Sequence, residues 1–381
     1  MDNDWAQEFL LNPELIHLNH AGAGPWPKCA QDAVNQFAYD NSHYSTKNIS
    51  KWEIIEFQLR SLCQQLINAE STDDIALIKN TSEGLSIVAY GIQWSTNDNV
   101  VFAQQEFPSN RIVWQSLQAR FGIEARCIDI YEGPTPEDSL FQSVDKNTRL
   151  IAVSAVQFTT GLRMNLEKIC DYCQSHDIML CVDAIQMLGA IPFDLNKIPA
   201  DFVTADGHKW LLSPEGIGLF YCSPKRRDEL QLNQFGWHML ESSGDYESQE
   251  WQPAEHARRF ECGSLNNIGI HAMHASLQLI LKIGVNVIFE NISRNISYLQ
   301  EKYRIYGLKI LSDMDADRRS GIITMRCEGV NNRQLFKTLL KSNVLCAYRN
   351  DGIRFSPHFY TNFDEIDKAI NVIINFNDAA V

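Results

Sequence analysis

The strongest constraint on this chain is a set of short apolar runs that do not alternate with polar residues. Ile178–Asp183 (IMLCVD) and residues 149–156 (RLIAVSAV) are apolar on successive positions. A strand with one wet face alternates, whereas a strand covered on both faces does not, so these runs predict a largely parallel sheet between helices. Further strand candidates are Ile75–Lys79, Asn99–Gln104, Ala125–Ile130, Arg149–Ala155, Asp201–Ala205 and Gly216–Cys222. Helical periodicity falls between them at Arg111–Phe121 and Leu166–His176. Alternating β and α predicts an α/β three-layer sandwich with a mixed, mostly parallel sheet.

The C-terminal part reads as a smaller α+β unit. Gly321–Cys327 is a strand candidate and Asn332–Ser342 a helix. Val344–Tyr348 and Gly352–Ser356 suggest a hairpin around Asn350-Asp351-Gly352, and Glu365–Asn375 a last helix. Asn362 and Glu365 have the spacing of a capping box. Residues 230–260 are polar and aromatic without a period, which predicts a long loop from the large domain toward the small one, of a length that is often functional.

Composition excludes several function classes. The 381 residues include 45% hydrophobic and 21% charged, enough for a large core, and carry a net charge of −14. That balance lacks the basic footprint of a nucleic-acid binder and is repelled by anionic lipid. Ten dispersed cysteines suit a reducing compartment. The start of the chain lacks a basic-then-apolar signal, and the stretch Cys262–Leu281, free of Asp, Glu, Lys and Arg, still holds Asn, His, Ser and Gln. The expectation is a cytoplasmic protein with no membrane contact.

Three local patterns carry chemistry. Asp206-Gly207-His208-Lys209-Trp210 follows a strand, where a partly desolvated lysine can form a Schiff base; the ordinary alternative is a surface lysine starting a loop. Asp183 ends an apolar strand at the carboxyl edge of the sheet, where ligands bind and where a carboxylate can keep a pyridinium protonated; it can equally be a helix N-cap. The 26 residues from Asp183 to Lys209 fit one helix plus one strand, so the two belong on neighbouring strand ends. Asn80-Thr81-Ser82-Glu83-Gly84 has the hydroxyls and helix start of a phosphate site, or of a plain cap. Phosphate cradle, pyridinium partner and amine in that order are the parts that pyridoxal 5'-phosphate (PLP) chemistry needs.

Eight segments in order resemble the class V aminotransferase group of fold-type I PLP enzymes, which includes cysteine desulfurases, kynureninases and isopenicillin-N-epimerase-like proteins. They are HLNHAGAGPWP (17–27), NTSEG (80–84), EFPSN (106–110), SAVQFTTG (154–161), VDAIQ (182–186), ADGHKWLLSPEGIG (205–218), RRFECGSLN (258–266) and GIRFSPHFYTN (352–362). The resemblance implies that Lys209 holds the cofactor and shuttles the Cα proton. It implies that Asp183 pairs with the pyridine nitrogen, that Gln186 bonds the ring's phenolic oxygen, and that Thr81, Ser82 and His208 hold the phosphate. Ser264 would reach the phosphate of a neighbouring subunit, which implies a homodimer with active sites at the interface. Arg354 would clamp the substrate carboxylate, and Asn19 and His20 would line the substrate pocket. The organisation implied is a segment 1–18 packed near the active site, a large PLP-binding domain 19–260 and a small domain 261–381.

The chain departs from many desulfurases at two points. Phe107-Pro108 stands where they have His-His, which makes Phe107 the expected stacking ring. Asp206 stands where they often have a phosphate-binding Ser, and an Asp there is repelled unless it turns away. A desulfurase also needs a nucleophilic cysteine on a mobile loop. After residue 262 there are only Cys327 and Cys346, each in a strand-like run that suits a small buried apolar residue. Cys170 and Cys173 lie on an amphipathic helix and suit a core face. The pairs His17/His20 and His271/His274 lack further ligands at a recognisable spacing, so no metal is expected. Trp237, His238 and Trp251 suit a pocket mouth or a subunit contact, and 225–229 (KRRDE) a solvated helix start.

These readings point to a PLP enzyme acting on a small amino acid. After Cα deprotonation the pattern leans toward a lyase or epimerase-like reaction. A cysteine desulfurase, a transaminase and a non-catalytic scaffold of the same fold are the alternatives.

Overall fold

The computed structural model describes residues 5–376. The chain enters through a two-residue strand, β1 (Ile16–His17), and two long helices, α1 (Lys28–Tyr44) and α2 (Ile49–Ile67). Seven strands then build one sheet: β2 (Ile75–Ile78), β3 (Asn99–Ala103), β4 (Glu124–Ile128), β5 (Thr148–Ser154), β6 (Met179–Asp183), β7 (Phe202–Asp206) and β8 (Gly218–Cys222). Their spatial order is β2-β8-β7-β6-β5-β3-β4. Only β8 runs against its neighbours, so the sheet is mixed and mostly parallel.

The non-alternating runs are buried on both sides. In β5, Leu150 and Ala152 join one apolar cluster while Ile151 and Val153 join the other. Successive side chains of a strand point to opposite faces, so two covered faces favour apolar residues at successive positions. Helices α3 (Thr81–Gly91), α4 (Ser109–Phe121), α5 (Pro136–Gln142) and α6 (Leu166–Ser175) connect successive strands. The connection from β6 to β7 differs from expectation. It is a chain of turns without a helix, interrupted by Gly189 in the left-handed region (φ 91°). A Cβ at Gly189 would sit 2.4 Å from the Trp210 carbonyl oxygen, so this close approach requires glycine.

The short helix α7 (Pro224–Arg227) forms at the expected solvated start, with Lys225, Asp228 and Glu229 exposed, and departs from it at one residue. Arg227 is buried and donates to the Asp74 carboxylate and the Glu255 carbonyl. No helix or strand forms between Asp228 and His256, in keeping with the long loop read from the sequence.

Two helices follow, α8 (Asn267–Ile283) and α9 (Val285–Ile305), bent by 79° at Gly284. Apolar α8 packs against α1 and α2. No single described helix is long and apolar enough to cross a membrane.

The remaining elements are β9 (Lys309–Ile310), β10 (Ile323–Arg326), α10 (Asn332–Lys341), β11 (Val344–Leu345), β12 (Ala347–Arg349), β13 (Gly352–Phe355) and α11 (Phe363–Ile374). A second sheet has the order β12-β13-β10-β9. The expected hairpin is half right. β12 and β13 pair, but the run 344–348 divides at Cys346 and β11 pairs in parallel with β1 instead. The capping box at Asn362 and Glu365 is present. Residues 16–24 thus lie between the sheets, bonded to β11, to Ser356 after β13, and, through the Gly24 N–H, to the His208 carbonyl at 2.8 Å.

Candidate active site

The parallel strands deliver their C-terminal ends to one edge of the seven-stranded sheet. Asp183 closes β6 and Asp206 closes β7, one strand over. Lys209 follows in a tight loop whose backbone turns through Leu212 at φ 56°, a left-handed conformation uncommon for a bulky residue. The Leu212 N–H bonds the Lys209 carbonyl, and Leu212 itself is fully buried.

Lys209 and Asp183 are both buried and act on each other electrostatically. Burial lowers the amine pKa, and Asp183 opposes that shift. Burial raises the Asp183 carboxyl pKa, opposed by the Ile185 N–H (3.1 Å) and reinforced by the charge of Glu106. A carboxyl in this state gains most from a cation brought against it.

The Lys209 ammonium lies 5.6 Å from the centroid of the Phe107 ring. Phe107 is 42% exposed and packs edge-on against Phe158 at 5.2 Å. Across the lysine, Gln186 is clamped: its amide donates to the Ala21 carbonyl (3.0 Å) and accepts from the Trp210 indole (2.9 Å). One amide hydrogen of Gln186 is left over.

At the start of α3 the Asn80 side chain takes the Glu83 N–H, leaving those of Thr81 and Ser82 at the open helix end. The Thr81 hydroxyl accepts from the Asp206 N–H (3.0 Å), so its proton is free to donate. The Ser82 hydroxyl donates to that of Ser109 (2.8 Å) and can turn that proton to an anion at the helix end. His208 Nδ1 lies 3.1 Å from Asp206 Oδ1, without the alignment of a hydrogen bond. Asp206 thus turns to the imidazole. Helix N–H groups, two hydroxyls and an imidazole form a donor set that fits a phosphate.

Arg354 on β13 is 1% exposed. Its Nη1 donates to the Phe158 carbonyl, its Nη2 to Asn19 Oδ1 (3.2 Å), and its Nε has no partner. Burial brings this guanidinium down to about 9, with Arg349 adding repulsion. A buried guanidinium held only by neutral oxygens and orphaned at Nε fits an incoming carboxylate.

Not every sequence candidate meets at this centre. His20 is fully buried, and its ring nitrogens are taken by the Ser356 carbonyl (3.0 Å) and the Tyr360 hydroxyl (2.6 Å). It braces the 16–24 segment and offers no free ring nitrogen. Ser264 is exposed and lines a separate cleft of about 620 Å³ with Arg60, Trp237 and His238. Beside that cleft Glu56, His238 and Glu261 converge, but Arg60 donates to both carboxylates and supplies the positive charge there.

Sequence reasoning missed Glu106, Trp210 and Arg349. Glu106 is fully buried, accepts from the Ser154 N–H (2.8 Å), the Ser154 hydroxyl and Gln157 (3.1 Å), and carries a pKa raised by burial. Its signal was an acid in the turn after an apolar strand, directly before Phe107-Pro108.

His17, His20 and His358 pack ring to ring. Burial lowers all three, His17 to about 4 and His358 to about 3. Folded imidazoles that resist protonation contribute stability in full above the unfolded value of 6.5 and lose it as pH falls through their folded values. The melting temperature is therefore expected to drop between pH 6.5 and 4. His17→Gln and His358→Gln should flatten that slope in thermal melts, and variants with the wild-type slope would assign it to carboxylates instead.

Known proteins resemble this chain in sequence and in fold. The family model for aminotransferase class-V matches residues 16–368. A probable cysteine desulfurase of Methanothermobacter thermautotrophicus is 34% identical, over 95% of this chain and 95% of its own. The isopenicillin N epimerase of Streptomyces clavuligerus is 25% identical, over 97% and 98%. Among solved structures, the apo cysteine desulfurase of Thermococcus onnurineus superposes with a TM-score of 0.88 at 20% identity, covering 100% of this chain and 99% of that one. The cystine C–S lyase C-DES, in complex with cysteine persulfide, does so at 0.88 and 22% identity, covering 96% and 98%.

Proposed function

Because the chain belongs to the class V aminotransferase family, whose cofactor is PLP, we propose that it is a lyase or epimerase-like enzyme acting on a small amino acid through Lys209. When bound, the cofactor supplies an electron sink for charge developing at the substrate Cα. The chain's own residues do the rest. Thr81, Ser82 and His208 would hold the phosphate, Phe107 would stack on the ring, and Gln186 would give its remaining amide hydrogen to the ring oxygen. Asp183 would pair with the ring nitrogen, whose positive charge would relieve its buried carboxylate. Lys209, its pKa lowered by burial, has the neutral fraction that a base needs near neutral pH. It takes the Cα proton and returns it. Arg354 orients the substrate through its carboxylate, and Asn19 supports Arg354. Ser264, on an exposed loop, completes the phosphate site of a second copy in a homodimer.

The observation that carries the reaction branch is the state of the cysteines. Cys346, the thiol near Arg354, is buried and pushed up to about 12, and buried Cys327 to about 11. A persulfide-forming nucleophile needs an accessible, low-pKa thiol, so desulfurase chemistry is the second reading, kept by the desulfurase relatives. Product analysis of the PLP-loaded protein with a panel of amino acids tests the choice. Keto acid released with the side-chain group, or loss of optical activity without consumption, is expected. Full activity on cysteine after Cys346→Ala would remove the second reading. Loss of that activity would overturn the first.

A further inference from the structure

The register of the four-stranded sheet sets a second arginine beside Arg354. Ala347 lies opposite Arg354 and Arg349 opposite Gly352, so Arg349 and Arg354 project from the same face of the β12–β13 hairpin. That face turns toward the active-site edge: Thr324, opposite Arg354 on β10, bonds the Thr159 carbonyl, and Arg354 bonds that of Phe158. The opposite face carries the core residues Ile353 and Phe355.

Arg349 is half-buried and donates from Nη1 only to its neighbour's carbonyl, that of Tyr348 (2.8 Å), while its buried Nε has no partner. Neither it nor Arg354 has an ion-pair partner among the described residues. Arg326 on the same sheet does, with the Asp351 carboxylate 3.7 Å away and the turn carbonyls of Asn350 and Asp351. The charge of Arg349 bears on both Arg354 and Lys209. Two like charges on one buried face, each with an orphaned Nε, are costly unless anions bridge them. One substrate carboxylate satisfies Arg354 and leaves Arg349 over.

We propose that Arg349 forms a second anion subsite beside Arg354 and selects amino acids whose side chain ends in a carboxylate or sulfinate. This rests on the amino-acid reading of the site above, and it names the substrate class. A planar fork of N–H donors suits either anion.

The test uses the full-length protein saturated with PLP. Its visible absorption band is recorded first, with Lys209→Ala as control. Calorimetry then compares succinate and glutarate with the monoacids propionate and butyrate. At least about tenfold tighter binding of a diacid is expected, the worth of one charge-assisted contact. Arg349→Gln should weaken the diacid far more than the monoacid and so remove the preference, and Arg349→Lys should keep part of it. Equal binding of diacid and monoacid by wild type, or a preference that survives Arg349→Gln, overturns the subsite. A diacid preference without a lysine-dependent band overturns the PLP reading and leaves the subsite standing.

Discussion

Lys209→Ala should abolish the visible band of lysine-bound cofactor and lower turnover by at least about 10⁴-fold. The upper range for loss of one positioned acid–base group is on the order of 10⁴, and here the same amine also anchors the cofactor. The side chain is buried, acts electrostatically on Asp183 and lies against the Phe107 ring. Removing it leaves Asp183 with one opposing charge fewer, so a circular-dichroism melt must accompany the kinetics. A folded variant that keeps the band, or that turns over within tenfold of wild type, would place the chemistry on another group.

Arg354→Met should lower kcat/KM by at least about a hundredfold while leaving the cofactor band unchanged. Charge-assisted hydrogen bonds contribute about 1.5–3 kcal/mol each, and a bidentate clamp makes two. Arg354→Lys should recover little, because an ammonium cannot form the fork. The split between KM and kcat locates the effect: a loss confined to KM means that Arg354 only binds, and a fall in both means that it also orients the Cα–H bond. Since the guanidinium also holds Asn19 and the Phe158 carbonyl, the melting temperature should fall modestly. An unchanged kcat/KM would end its assignment as the carboxylate clamp.

Most of the large sheet was legible because its inner strands are apolar on nearly every residue, the pattern that burial on both faces favours. The boundaries agree within two or three residues, as at Asn99–Ala103 and Phe202–Asp206. The connection from β6 to β7 was misjudged because its spacing admits a helix, while Gly189 and its approach to the Trp210 carbonyl impose turns. The pairing of β11 escaped for a similar reason. Its partner, Ile16–His17, is more than 300 residues away, and two-residue strands leave no periodicity. The long helices α8 and α9 also went unmarked.

The site divides along the same line. Motif spacing along the chain determined that an amine, a carboxylate and a phosphate cradle belong to one sheet edge, because parallel strands must end together. It also singled out Arg354, through likeness to a family. Only the folded chain decided that His20 is a brace, that the charge of Glu106 acts on Asp183, and that Arg349 shares the face of Arg354. Those facts depend on which distant side chains meet once water is excluded. Burial then sets the proton affinities of Lys209 and Asp183, and no local run of residues encodes burial contributed by the opposite end of the chain.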